Sequence, residues 1–144
     1  MDDLVQWLSA QLDEDERIAK EAGVRSLEWR LARPLDDEEL GDASWLRPPE
    51  LKHAELHDPA RVLAEIAIDR QLLSEYERLL RAHASHEAEA KRMAEESDDD
   101  PFRRGALRRE ADYLPAMLHI LERWATGKAT VYASRPGYRE DWRS

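Results

Sequence analysis

The sequence predicts a mainly α-helical protein, a three-helix bundle-like single domain with a long central helix. Three observations support this fold class. Apolar residues recur at three- and four-residue steps through much of the chain, the spacing of an amphipathic helix. The stretch from Arg61 to Glu96 contains no Gly or Pro and is rich in good helix formers. At 144 residues, the chain has the common size of one domain.

The first predicted helix spans residues 3–22. Asp2 or Asp3 caps its free N–H groups, and Gly23 ends it. The apolar face of this helix consists of Leu4, Val5, Leu8, Leu12, Ile18 and Ala19.

Residues 24–50 are predicted to form a small irregular or β-hairpin-like insert. Leu27, Trp29 and Leu31 alternate with charged residues, a period of two that favours one short strand. Pro48-Pro49 indicates a rigid corner at the end of this insert.

The long central helix is predicted over residues 59–96. Asp58-Pro59 marks its start, because Asp accepts hydrogen bonds from free backbone N–H groups and Pro suits the first helical position. Its apolar stripe runs through Val62, Ile66, Leu73, Tyr76 and Leu80. The second half, residues 82–97, has only Met93 as a large apolar residue, so we expect it to project or fray.

The last helix is predicted over residues 102–126. Pro115 is expected to kink or divide it, and Gly127 to end it. Its apolar side is predicted to contain Leu107, Leu114, Met117, Leu118, Leu121 and Trp124. A C-terminal tail, residues 127–144, then carries Tyr132, Tyr138 and Trp142, an aromatic density that indicates docking onto the body of the protein.

The composition excludes several functional classes. The chain has no cysteine, which excludes disulfides, thiolate zinc sites, iron–sulfur clusters and cysteine nucleophiles. A net charge of −10 argues against direct nucleic-acid binding. No apolar run is long enough for a membrane span, and the acidic start lacks a signal core, so we expect a cytoplasmic protein. No nucleophile elbow or other catalytic constellation is recognisable, which favours a protein without enzymatic activity.

His53, His57 and Asp58 are the candidate metal ligands. A four-residue spacing places both imidazoles on one face if this segment is helical, and Asp58 could add an oxygen ligand to a divalent transition metal. The alternative is that one histidine contacts the helix start and the other is exposed. No other cofactor is predicted.

Arg104, Arg108, Tyr138 and Trp142 are the candidate interaction residues. Arg104 and Arg108 share a helix face on which they could bind a partner's phosphate; the alternative is ion pairing with the aspartates at 98–100. His83 is interpreted as a packing histidine, although its spacing from His86 would also allow a shared metal.

The motif His53-x3-His57-Asp-Pro-Ala-Arg-Val-Leu-Ala-Glu-Ile resembles the signature of an uncharacterised family of short acidic proteins. That family is common in actinobacteria, their phages and integrated elements. The opening, residues 1–19, and the ending, residues 131–143, are similar to the family's two ends. The chain departs from the family at Ser134-Arg135-Pro136-Gly137, where relatives carry Asp-His-Pro-Asp. The resemblance implies fold and source rather than activity.

Together these observations favour a non-enzymatic protein-interaction or accessory module of phage or mobile-element type. It would bind a protein partner or a second copy of itself through the long helix. One alternative is a metal-binding protein or metal-dependent hydrolase that uses His53, His57 and Asp58. Another is an acidic mimic of nucleic acid, which would occupy the binding site of a basic partner.

Overall fold

The computed structural model describes residues 2–31 and 46–143, and helices dominate this part of the chain. Helix α1 spans Asp2–Ala22, α2 Pro48–Leu56, α3 Pro59–Glu96 and α4 Pro101–Val131, and a short 3₁₀ helix spans Glu140–Trp142. These helices pack against one another, and the described residues include no strand. The predicted mainly α, bundle-like fold class is confirmed. None of the described helices is long and apolar enough to cross a membrane.

The chain divides into two compact units. One comprises Met1–Ser9 with Gln71–Ser144, and the other comprises Ala10–Arg70. Helices α1 and α3 each contribute one segment to each unit. The single domain over residues 1–144 stays a prediction.

The core of the first unit is apolar and includes the far half of α3. Tyr76 is fully buried there, and burial, together with the negative charge of Glu122, raises its pKa to about 12. Met93 is also buried, so the prediction that the end of α3 projects or frays is wrong. The buried side chains of this unit are Leu4, Val5, Leu8, Leu73, Tyr76, Leu79, Met93, Leu114, Ala125, Ala129, Tyr132 and Trp142.

The second unit combines a smaller core with an ion-pair cluster. Leu12, Ala19, Pro59 and Ile66 are the buried apolar residues among those of this unit that the structure describes. Arg70 on α3 donates hydrogen bonds of 2.8 Å to Asp13 and 2.8 Å to Glu16 on α1. The bond from Arg70, followed by one from Lys20, lowers the pKa of Glu16 to about 2. A single guanidinium therefore links α1 to α3 within this unit.

The strand predicted for Leu27, Trp29 and Leu31 is wrong. These residues are irregular, and the backbone groups of two of them bind residues at the start of α3. The backbone N–H of Ala60 donates to the carbonyl of Leu27 at 2.9 Å, and the N–H of Trp29 donates to the Asp58 carboxylate at 3.1 Å. The alternation of apolar and charged residues therefore reflects one half-buried side chain, that of Trp29, and not a strand paired in a sheet. Residues 32–45 of the predicted insert lie outside the described part of the chain.

The corner predicted at Pro48-Pro49 is instead the start of helix α2. Pro48 occupies the first helical position, where its missing N–H removes no helical bond. The carboxylate of Glu50 accepts a hydrogen bond of 3.0 Å from the backbone N–H of Arg47. The insert predicted for residues 24–50 consequently overlaps the first turn of a real helix.

Helix α4 is longer than predicted. It runs unbroken through Pro115 and through Gly127 to Val131, so neither residue ends it. Ala125 and Ala129 are both fully buried, and their burial on one side of the last turns favours continuation of the helix past Gly127. The side chain of Asp100 caps the other end by accepting the Phe102 N–H at 2.9 Å.

The tail docks onto the start of α1, as the sequence predicts. The indole N–H of Trp7 donates to the carbonyl of Pro136 at 3.0 Å. The Trp7 ring lies 5.2 Å from the ring of Trp142 and 5.9 Å from that of Tyr138, measured between centroids. Arg139 adds an ion pair of 3.2 Å with Asp3. Aromatic contacts of this kind stabilise a docked segment beyond the area that they bury.

Candidate functional site

Helix α4 carries a row of large apolar side chains that point to solvent. We call this row the α4 stripe; its members are Phe102, Tyr113, Met117, Ile120 and Val131. Phe102 is 86% exposed, Ile120 66% and Val131 70%. Large apolar residues aligned on one exposed row are unusual for the surface of a soluble protein.

The stripe follows a single face of the helix. At 100° per residue, Tyr113, Met117, Ile120 and Val131 fall within a sector of about 60°. Leu114, Ala125 and Ala129, which are buried, lie about 100° or more around the helix from Tyr113. Helix α4 is therefore apolar on two separate faces, of which only one is used by the core.

The charges around the stripe balance. Residues 98–131 carry six basic and six acidic side chains, a net charge of zero in a chain whose net charge is −10. At the start of α4, Arg103 lies 3.1 Å from the Asp98 carboxylate, and Arg104 pairs with Asp99. The backbone N–H of Asp100, followed by Arg103, lowers the pKa of Asp98. The stripe thus lies on an electrically neutral part of an acidic protein.

The two predicted arginines have different surroundings. Arg104 contacts an aspartate of the preceding turn, the arrangement that the sequence offered as the alternative to phosphate binding. Arg108 is exposed. Their use by a partner stays a prediction.

The two predicted aromatic residues belong to the docked tail. Trp142 is buried, and its ring lies 6.0 Å from that of Tyr138. The guanidinium of Arg139 lies over the Trp142 ring at 5.5 Å. These contacts give both aromatic side chains a place inside the first unit, which limits the surface that they offer to a partner.

The structure brings His53 and His57 together at the end of α2. Their ring centroids are 4.4 Å apart, and Nδ1 of His57 lies 2.9 Å from the carbonyl oxygen of His53. Asp58, however, caps α3. Its two carboxylate oxygens accept the N–H of Arg61 at 2.9 Å and of Trp29 at 3.1 Å, and these bonds lower its pKa. In residues 2–31 and 46–143, no group of three His, Asp or Glu side chains is arranged to hold a metal.

The other histidine pair is separated rather than joined. His86 is largely buried, and its Nδ1 lies 3.0 Å from Glu110 on α4. His83 lies 3.7 Å from Glu87, one turn further along α3. Each imidazole thus has its own carboxylate partner, as expected of packing histidines.

Sequence reasoning missed the α4 stripe as a surface. Met117 was predicted to lie with Leu114 and Leu118 on one apolar side, but it lies on the exposed face. The signal was nevertheless present in the step from Tyr113 to Met117 and on to Ile120, four and then three residues. A helix with two such rows has more apolar surface than one core contact covers.

The fold and this surface define a small, mainly helical protein with an exposed apolar face on α4. A family model matches residues 1–144, and the chain belongs to the Family of unknown function (DUF6221). The family resemblance suspected from the sequence is thereby confirmed, whereas an actinobacterial or phage origin stays a prediction. No curated protein and no solved structure matches the chain.

Proposed function

We propose that the protein is a non-enzymatic interaction module and that the α4 stripe is its binding surface. The observation that supports this proposal is the row of five large apolar side chains exposed along one face of α4. Together they present on the order of 500 Å² of apolar side chain, a patch size that on a soluble protein is often functional.

The contact surface lies on α4 rather than on the long helix favoured by the sequence. The stripe of α3 is largely used by the cores of the two units, since Ile66, Leu73, Tyr76 and Leu79 are buried. Among the described residues of α3, only Ile68 is a strongly exposed large apolar side chain. A single exposed residue of this kind is normal for a soluble protein, whereas an aligned row of five is not.

The distribution of charge favours this proposal over an acidic mimic of nucleic acid. A mimic needs carboxylates that are free to meet a basic partner. Along α3, however, Glu65, Glu75 and Glu77 pair with arginines of the same helix at 2.7, 2.5 and 3.2 Å. Much of the negative charge of this helix is thereby neutralised within the chain itself.

We further place this module in the cytoplasm, as an accessory protein of the kind that phages and mobile elements carry. The motif at His53–Asp58 and the two ends of the chain support the type of source through their resemblance to the family.

A substitution in the stripe tests the proposed binding surface. Ile120→Asp places a charge on the stripe and, because Ile120 is exposed, leaves the fold intact. Ile68→Asp is the matched control, since Ile68 is 58% exposed on α3 and lies outside the stripe. We expect the wild type and the Ile68→Asp variant to bind the same partner, which is either a second copy of the chain or a protein of the source cell. The Ile120→Asp variant should not bind it.

The measurement combines light scattering of the purified proteins with quantitative affinity capture by the immobilised wild type and the two immobilised variants. A monomeric wild type that captures the same proteins as Ile120→Asp, in the same amounts, would remove the support for the proposal. Circular dichroism of the three variants checks that their helix content is equal.

A further inference from the structure

We propose that the occupant of the α4 stripe is the α4 stripe of a second copy of this chain, packed antiparallel about a twofold axis between Ala116 and Met117. This inference rests on the proposed function and names the partner of that surface. Closed twofold dimers are the commonest protein assemblies, and their interface must be complementary to itself.

The spacing of the stripe meets this condition. In an antiparallel pair centred between residues 116 and 117, the numbers of any two residues that face each other add up to the sum of 116 and 117. Tyr113 then faces Ile120 of the second copy, and Phe102 faces its Val131. Ala106 faces Gly127, so two small residues meet where helices must approach closely. Each member of the α4 stripe other than Met117 thus faces another member of the stripe.

The flanking charges fit the same arrangement. Asp112 and Arg123 lie on the same flank of the stripe, and antiparallel packing brings equal flanks together. Arg123 of one copy then lies near Asp112 of the other, and the twofold axis repeats this pair. Within the described residues, the side chains of Asp112 and Arg123 make no ion pair inside their own chain.

The net charge explains why this face, rather than another, can join two copies. Two chains of net charge −10 repel each other, and the repulsion is smallest where the contact surface is neutral. Residues 98–131, the segment that carries the stripe, have six basic and six acidic side chains and therefore no net charge. Added salt screens the remaining repulsion, so we expect salt to strengthen the dimer.

The available area is sufficient for a weak, reversible dimer. A helix of 31 residues is about 46 Å long, and its contact strip is about 10 Å wide. Two such strips bury roughly 1,000 Å² in total, the lower limit for a specific interface. A micromolar rather than a picomolar dissociation constant fits an interface of this size.

Sedimentation or light scattering between 1 and roughly 200 µM measures the assembly, a range chosen around a micromolar constant. We expect a concentration-dependent rise towards twice the 16.8 kDa of one chain. Ile120→Asp should weaken dimerisation at least ~100-fold, because each copy would bury an unpaired carboxylate. Ile68→Asp should dimerise as the wild type does. A wild type that stays at one chain mass, or an Ile120→Asp variant that dimerises normally, overturns the proposal.

The absence of cysteine from the chain allows a clean test of the register. Ala116→Cys places one thiol next to the twofold axis and should give a disulfide-linked dimer under mild oxidation. Ala111→Cys, an exposed site on another face of the same helix, is the control and should not. Equal cross-linking of both variants would overturn the antiparallel arrangement.

The two proposals can fail separately. If the wild type is monomeric but loses a cellular partner on Ile120→Asp substitution, the second copy is the wrong occupant and the interaction module stands. If the wild type is monomeric and the substitution changes no association, both proposals fail.

Discussion

Among single residues, Trp7 makes the most varied set of contacts with the tail. Its indole N–H binds the carbonyl of Pro136, and its ring lies 6.4 Å from that of Tyr132 in an edge-on arrangement. Directly after Pro136, Gly137 has a φ of +85°, a backbone conformation that residues with a side chain rarely adopt. The tail therefore reaches Trp7 through a turn that requires glycine.

We predict that Gly137→Ala destabilises the protein by about 1–3 kcal/mol, because of backbone strain and contact with Trp7. An added Cβ would lie 2.8 Å from the Trp7 indole nitrogen, closer than packing allows. Urea unfolding followed by tryptophan fluorescence measures the change. An unchanged unfolding midpoint would mean that the tail does not dock as described.

The histidine pair at the end of α2 gives a second prediction at this scale. Because Asp58 caps α3, only two imidazoles are left for a metal. We expect them to bind added Zn²⁺ or Ni²⁺ weakly and reversibly, since firmly held zinc takes three or four protein ligands. The double variant His53→Ala/His57→Ala should lose this binding in calorimetric titration.

Elemental analysis of the purified protein provides the complementary measurement. About one transition metal per chain, retained through dialysis against a chelator and lost in the double variant, would contradict the expectation of weak binding. It would also revive the metal-dependent hydrolase suggested by the sequence.

At the scale of elements, glycine has the opposite role in α4. Gly127 lies inside the helix, and apart from the surrounding backbone of α4 and the two neighbouring residues no atom lies within 4 Å of a Cβ at this position. The residue was predicted to end the helix because glycine is common after the last turn. The burial of Ala125 and Ala129 offsets its low helix propensity, and the helix continues.

We therefore predict that Gly127→Ala stabilises the protein by about 0.5–1 kcal/mol, the reverse of the effect at Gly137. Thermal unfolding at a protein concentration too low for dimerisation measures the difference, because Gly127 faces Ala106 of the second copy in the proposed dimer. A destabilised Gly127→Ala variant would indicate that residues 127–131 are not helical in solution.

Helix boundaries were predictable where one local interaction decides them. The Asp58-Pro59 pair predicts the start of α3 correctly, because its cap is made by neighbouring residues. Local structure that depends on long-range contacts was not predictable. The backbone N–H of Trp29, for example, binds Asp58, which is twenty-nine residues away, and does not pair with a neighbouring strand. The α4 stripe was missed for a similar reason, since helical spacing does not show which of two apolar faces meets the core.

At the scale of the whole molecule, charge sets the response to acid. The pKa values of Glu16, Asp58 and Asp98 are all lowered, in each case chiefly by a hydrogen bond to the carboxylate. A carboxyl group of this kind stabilises the folded state above its ordinary pKa. That contribution is lost as the pH falls through the lowered value.

We predict that the urea midpoint falls between pH 4.5 and about 2, the window that Glu16 sets. Arg70→Met removes the main cause of the Glu16 shift and should reduce this dependence on pH. Arg25→Met, at an exposed arginine on the same unit, should leave it unchanged. Equal midpoints at pH 7 and pH 3 in the wild type would contradict the prediction.

The hydrogen bond between Trp7 and Pro136 also fixes the order of events during synthesis. The first unit is built from residues 1–9 and 71–144. Trp7 therefore leaves the ribosome long before Pro136, which accepts its hydrogen bond, has been synthesised. At 5–20 residues per second, that delay is roughly 6–26 s. Trp7 must wait that long for its partner in the tail, an interval in which a chaperone could hold the nascent chain.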